Sequence, residues 1–246
     1  MTENLRRADI VLVERGLLES RGKARAAIAA GLVTADGIAV TKPSQKIATD
    51  AVIEAKPAHP WVSRAALKLV AGLDNFDINP SGKTCLDVGA STGGFSQVLI
   101  ARGAAKVFAV DVGRDQLHAT LRQDPKIISL ESTDARKLTS DLISDPPELI
   151  VCDASFIGLE KVLSRPLELA APACELVALI KPQFEVGREN IGKGGIVKDK
   201  AATEAAVERI TARINTQSGF SVVGVCESPI TGGDGNVEFL IAARKG

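Results

Sequence analysis

The sequence predicts a doubly wound, mostly parallel α/β sheet preceded by a small α+β domain. From Ser63 onward, short apolar runs alternate with segments of helical period, as in βαβ units. The run Leu86-Asp87-Val88-Gly89-Ala90-Ser91-Thr92-Gly93-Gly94-Phe95 ends a strand on a carboxylate and turns on small residues. A parallel sheet does this at its ligand edge, where backbone N–H groups at a helix start are free to bind. Lys56-Pro57-Ala58-His59-Pro60, whose prolines deny it a helix, parts this region from a first stretch of different pattern. The expected division is a domain at 1–55, a linker at 56–62 and a second domain at 63–246.

In the first domain, 8–15 reads as a short helix with Ile10, Leu12 and Val13 inward. Ser20 is placed to cap a second helix over 21–30, which Gly31 ends. Two short strands, 32–34 and 38–40, flank Ala35-Asp36-Gly37, a hairpin signal. Trp61, the only tryptophan, follows the linker. A helix is expected over 64–76, the first sheet strand over 84–88, and a helix after the glycine loop. Strands follow at 106–110, 127–130, 148–151 and 176–180, then a helix at 201–214 and strands at 221–226 and 237–242. The last two are expected to be antiparallel.

Composition excludes several classes. Of 246 residues, 45% are hydrophobic and 24% charged, the balance of a soluble globular protein. Charged residues interrupt every apolar run before it reaches the length of a membrane span, and the polar segment 1–7 lacks the apolar core of a secretory leader. Cys85, Cys152, Cys174 and Cys226 lie in apolar runs without metal-ligand spacing and read as buried, reduced thiols of a cytoplasmic protein, with no metal expected. Lys and Arg number 30 against 30 for Asp and Glu, so net charge does not announce nucleic acid, although residues 1–46 carry a slight basic excess.

The glycine spacing selects among nucleotide ligands. A dinucleotide loop has Gly-x-Gly-x-x-Gly directly after its strand. Here Gly89 is followed only by Gly93 and Gly94, and Asp87 precedes the turn. A carboxylate there opposes a diphosphate but suits S-adenosylmethionine, which carries a sulfonium and an ammonium, whether by direct contact or through water. Candidate contacts are Asp87, Gly89, Ala90, Ser91, Thr92, Gly93, Gly94 and Phe95 in the loop. Asp111, ending the second strand, is placed for ribose hydroxyls, and Asp134, after the third, for the adenine amino group or as a turn cap.

Four charged residues stand at element edges: Lys68 within the helix 64–76, Asp153 and Lys181 ending consecutive strands, and Glu238 opening the last. Singly, each reads equally as a surface charge or a structural ion pair. Together, in this order, they resemble the Lys-Asp-Lys-Glu tetrad of FtsJ-like ribose 2′-O-methyltransferases. The words Trp61-Val62-Ser63-Arg64, 87–95, 181–187 and 235–240 look like the TlyA (haemolysin A) branch of that group. Residues 18–37 resemble the S4-type RNA-binding domain that the branch carries, with Asp36-Gly37 where Asn-Gly is common.

The resemblance covers nearly the whole chain and implies a class I S-adenosylmethionine-dependent methyltransferase acting on rRNA. A cytidine of large-subunit RNA is expected as target, in free RNA or in a ribosomal subunit; longer relatives also modify the small subunit. Arg6, Arg7, Arg21, Lys23 and Arg25 would contact phosphates, Arg64 would meet RNA beside the catalytic helix, and Trp61 would stack on a base or pack inside the protein. The target nucleotide is expected to leave its stack. Lys181 would take the proton of the 2′-hydroxyl as a neutral amine, or remain charged and stabilise the developing alkoxide. The rival readings are a non-catalytic ribosome-assembly factor and a membrane-active haemolysin.

Overall fold

The computed structural model describes residues 4–217 and 219–246; residues 1–3 of the polar N-terminal segment lie outside the described residues. The chain divides into two units, Met1–Pro60 and Trp61–Gly246.

The first unit contains β1 (Leu5–Arg7), α1 (Ala8–Glu14), α2 (Arg21–Ala29), β2 (Val33–Ala35), β3 (Ile38–Ala39), β4 (Lys46–Ala48) and β5 (Ile53–Ala55). Ser20 Oγ accepts the Lys23 N–H and opens α2, and Gly31, at φ +70°, follows its end. Asp36 and Gly37 both take positive φ, the pair a tight hairpin requires, and join β2 to β3. The buried face of α1 is Ala8, Val11 and Leu12 rather than Ile10, Leu12 and Val13. The helix begins with Ala8 already inward, and that sets the phase of the 3.6-residue stripe.

The second unit contains α3 (Ala66–Asn75), β6 (Thr84–Val88), α4 (Gly94–Ala101), β7 (Lys106–Val110), α5 (Ala119–Arg122), β8 (Ile127–Leu130), β9 (Leu149–Cys152), α6 (Leu159–Glu168), β10 (Cys174–Ile180), α7 (Pro182–Glu185), α8 (Lys200–Asn215), β11 (Phe220–Glu227) and β12 (Phe239–Lys245). Its seven strands lie in the order β11-β12-β10-β9-β6-β7-β8. The strands from β10 to β8 are parallel, and β12 runs antiparallel to both neighbours. Successive residues of the central strands feed opposite cores. Leu149 and Val151 join α3 and α4 on one face, while Ile150 and Cys152 join α6 and α8 on the other. Burial on both faces explains why these strands read as unbroken apolar runs.

Several short elements, β1, β4, β5, α5 and α7, were not expected, and two further differences bear on the site. The last strand opens at Phe239 rather than 237, because a turn closed by the Gly232 N–H on the Asn236 carbonyl holds the preceding residues out of the sheet. Helix α6 was not legible, since Pro166 lies inside it. Its buried face of Leu159, Val162, Leu163, Pro166 and Leu167 outweighs that proline's local penalty.

Candidate active site

The order of strands places a reversal between β6 and β9: from β6 the chain moves outward to β7 and β8, then returns to the other side of β6 with β9. Such a switch point opens a crevice at the carboxyl ends of the strands. A cleft of about 890 Å³ lies there, lined among others by Gly89, Ser91, Asp111, Asp134, Asp153 and Phe156. A smaller cavity of about 170 Å³ shares Gly89, Ser91, Asp153 and Ser155 with it and is bounded by Lys181, Thr92, Gly94, Phe95 and Ala90.

The glycine loop is shaped by close approach. Gly89 sits at φ +83°, and a Cβ there would lie 2.9 Å from the Cα and N of Ala154. Ser91 also takes positive φ, and its N–H donates to Asp111 Oδ2 at 2.8 Å. The Gly113 N–H donates to the other Asp111 oxygen at 2.7 Å, which fixes this carboxylate on the cleft wall. Asp134 caps a short 3₁₀ turn through the Arg136 N–H and also pairs with the Arg136 guanidinium. Those hydrogen bonds hold its carboxyl down, at about 2.

Asp87 lies beneath the loop and not on the cleft wall. It is fully buried, and one oxygen accepts from Ser96 Oγ at 2.6 Å while Oδ1 has no hydrogen-bond partner among the described residues. Burial pushes its pKa up to about 7, opposed by the Ser96 hydrogen bonds and assisted by the charges of Asp153 and Asp111. The folded protein therefore keeps a proton that the unfolded chain gives up near pH 4, so this group's contribution to stability falls as pH rises towards 7. Asp87→Asn removes that dependence. Denaturant titrations at about pH 5 and about pH 8 should show the variant gaining roughly 3 kcal/mol on the wild type between the two. The same difference at both pH values would show that Asp87 does not titrate in this window.

The register of the sheet assembles the four edge charges. Cys152 pairs with Val88 and Ala178, which sets Asp153 beside the ends of β6 and β10. Ile180 pairs with Phe239 across the antiparallel β10–β12 ladder, so Lys181, just past one strand, meets Glu238, just before the other. Gly72 lets α3 lie close on β10 and β12, since a Cβ there would come within 2.9 Å of Val177 Cγ1. Lys68, one turn earlier on the same helix face, reaches the site from above the sheet.

The result is a buried chain of alternating charge. Lys68 Nζ lies 2.6 Å from Glu238 Oε2 and 3.7 Å from Asp153 Oδ2, and Lys181 Nζ lies 2.6 Å from Asp153 Oδ1. Lys181 Nζ also donates to the Asp153 carbonyl at 3.2 Å and to Ser155 Oγ at 2.8 Å. With Lys68, Lys181 and Glu238 buried, an uncompensated charge here would be costly, and the alternation offsets much of that cost.

Two residues of this site escaped the sequence reading. Ser155 faces the cleft, and Phe156, at φ +65° and 92% exposed, stands at its mouth with its ring 5.3 Å from that of Phe184. An exposed phenylalanine in left-handed backbone is doubly unfavourable, which makes Phe156 a candidate functional position. Its only sequence signal is the word Asp153-Ala154-Ser155-Phe156 after a strand.

Beyond the cleft, Trp61 is partly buried against the α3–α4 core, and Arg64 is exposed beside Gly233. In the first unit the predicted cations fall into two groups. Arg6 pairs with Glu14 and Lys23 with Glu19, one for one. Arg7, Arg21 and Arg25 share a single buried carboxylate, Asp9, which the Arg7 hydrogen bonds, against the burial penalty, hold well below the usual carboxylate range. Cys85, Cys152 and Cys174 are free and buried, each thiol pushed up by burial to about 12, so none is a nucleophile at neutral pH. Among the described residues, no helix is long and apolar enough to cross a membrane, and no group of three or more His, Cys, Asp or Glu side chains could hold a metal ion.

Comparison with known proteins places the chain. Residues 61–245 match the FtsJ-like methyltransferase family and residues 6–53 the S4 domain. The 16S/23S rRNA (cytidine-2′-O)-methyltransferase TlyA of Mycobacterium tuberculosis is 43% identical over 97% of this chain and 89% of its own length. The chain belongs to the TlyA family of rRNA methyltransferases. A second TlyA, the 23S rRNA (cytidine-2′-O)-methyltransferase of Campylobacter jejuni, is 44% identical over 73% of this chain and 69% of its own length. A solved structure from Streptococcus thermophilus, named as a candidate hemolysin, is 38% identical and superposes with a TM-score of 0.76, covering 99% of this chain and 90% of that one. The TlyA fold is thus the methyltransferase fold, and the tetrad positions Lys68, Asp153, Lys181 and Glu238 converge at one edge of its sheet.

Proposed function

We propose that this TlyA-family protein transfers a methyl group from S-adenosylmethionine to a ribose 2′-hydroxyl of rRNA, with a cytidine of the large-subunit RNA as target. The observation that carries the proposal is the buried Lys-Asp-Lys-Glu chain reaching, at Lys181, the smaller cavity that adjoins the cleft. A ribose hydroxyl is a poor nucleophile at neutral pH and needs a group that takes its proton or stabilises the alkoxide as it attacks. Both named relatives carry 23S rRNA and cytidine in their names, which supports that choice of target.

The residues fit the cofactor. Gly89 leaves a cradle that a Cβ would fill, Asp111 stands fixed on the wall, and Asp87 beneath the loop, once ionised above about pH 7, offers negative potential to a cationic ligand. S-adenosylmethionine, when bound, supplies a methyl group made electrophilic by a positively charged sulfur. The chain's own part is to hold it on the loop 89–95 with Asp111 and Asp134, and to orient the hydroxyl at Lys181. Phe156 offers a face on which an unstacked base rests. Arg7, Arg21 and Arg25, sharing one acid, retain charge for phosphates, with Arg64, Arg6 and Lys23 as further contacts.

The test is labelling of purified ribosomal subunits and of naked rRNA with tritiated S-adenosylmethionine, followed by nucleoside analysis. The expected product is 2′-O-methylcytidine from large-subunit RNA. Phe156→Ala should lower transfer by about 10- to 100-fold, the worth of one base stack. Cofactor binding without label in any RNA would favour an assembly factor instead.

A further inference from the structure

Building on the 2′-O-methyltransferase reading, we infer that Ser155 is a catalytic residue: its hydroxyl stands between Lys181 and the substrate and relays the proton. The three groups that meet Lys181 Nζ are the Asp153 carboxylate, the Asp153 carbonyl and Ser155 Oγ. The carboxylate and the carbonyl only accept in this arrangement. A serine hydroxyl accepts and donates at once. Lys181 and Lys68 are buried, whereas Ser155 is exposed and lines both the main cleft and the smaller cavity. Lys181 borders the smaller cavity but not the main cleft, so Ser155 Oγ is the atom that links the buried amine to the main cleft, where a ribose would lie.

The step balances as follows. In the relay the 2′-hydroxyl donates to Ser155 Oγ and the Ser155 hydroxyl donates to Nζ, which reverses the Lys181-to-Ser155 hydrogen bond of the resting structure and requires Lys181 to have first given a proton to solvent. As the ribose oxygen forms its bond to the methyl carbon, the carbon–sulfur bond breaks and its electron pair stays on sulfur. The ribose proton passes to Ser155 and the Ser155 proton to Lys181, leaving methylated ribose, S-adenosylhomocysteine and a lysine ammonium. Asp153 receives that charge at 2.6 Å. The positive φ of Phe156 turns the chain sharply after Ser155, and the Asp153 N–H donates to the Val88 carbonyl just before it, so the hydroxyl is held from both sides.

The opposite role is also defined: Ser155 could fill the ribose's place on Lys181 and be displaced when RNA binds. The two make opposite predictions. Ser155→Ala removes one exposed oxygen, so the full-length variant is expected to fold with unchanged melting temperature and unchanged calorimetric affinity for S-adenosylmethionine. With rRNA, the relay requires kcat to fall by about 10²-fold with KM for RNA unchanged, the scale of one positioned proton-transfer group. Ser155→Thr, which keeps the hydroxyl, should restore most of it. In mixtures of light and heavy water the wild type should show two protons in flight and Ser155→Ala fewer. Wild-type kcat in Ser155→Ala, or a proton inventory unchanged by it, would overturn the relay while leaving the methyltransferase reading intact. Only failure of the wild type to label any RNA would remove both.

Discussion

Replacing Lys181 by alanine should abolish methyl transfer, with kcat falling by about 10³-fold or more while S-adenosylmethionine still binds. Lys181 and Asp153 are the members of the charged chain that border the smaller cavity, and among the described residues lining it Lys181 is the one amine. Asp153 would be left with Lys68 at 3.7 Å, so a stability cost of about 3 kcal/mol accompanies the change. Lys181→Arg separates chemistry from folding. It keeps a cation for Asp153 and should melt close to the wild type, yet a guanidinium does not give up its proton and cannot serve as a base. We expect Lys181→Arg to be as inactive as Lys181→Ala in single-turnover labelling. Appreciable turnover by the arginine variant would show that a fixed positive charge suffices and that the alkoxide is stabilised rather than formed by proton removal.

The second large effect is expected at Gly89. Alanine there meets the Ala154 backbone at 2.9 Å and must hold φ near +83°, so neither a rotamer nor a side-chain shift relieves the clash. Strain and overpacking together should cost about 3 kcal/mol. If that cost falls on the loop in its binding form, affinity for S-adenosylmethionine drops by about 10²-fold. Gly82, also at positive φ but with open space around its Cβ position, is the control: Gly82→Ala should lose stability from backbone strain alone and bind cofactor normally. Calorimetry on both variants decides the matter, and equal cofactor affinities would show that the approach of Gly89 to Ala154 is dispensable.

Much of this architecture was legible before any coordinates. The strands 84–88 and 106–110 stand where the apolar runs put them, because both faces of these inner strands are largely buried, and the edge strand 127–130 keeps its place although Ser129 is exposed. The start of α3 was less legible: 64–65 carry i→i+3 turns that lead into a helix beginning at Ala66. Helix α6 was hidden by Pro166, whose local signal argues against the packing that prevails. For the site, residue type and position at strand ends drew attention to Asp153, Lys181 and Glu238. Their meeting depends on which strands are neighbours and in what register, and no local pattern encodes that. Ser155 and Phe156 were missed for a related reason: a serine and a phenylalanine are ordinary letters, and only exposure, backbone angle and a 2.8 Å contact distinguish them.

The insertion of β12 between β10 and β11 also bears on when the protein becomes competent. Lys68 and Glu238 are separated by 170 positions, and their contact is made only once the antiparallel pair has joined a sheet whose parallel part encloses the glycine loop. Contacts of such long range form late, after the entropy of closing the intervening chain has been lost. A sheet holding only β6 to β10 would already possess the loop, most of the cleft wall and Asp153, but not Glu238, the nearer of the two acids that pair with Lys68. Cofactor recognition and chemistry would then mature on different timescales, so that an incompletely folded molecule is silent towards RNA.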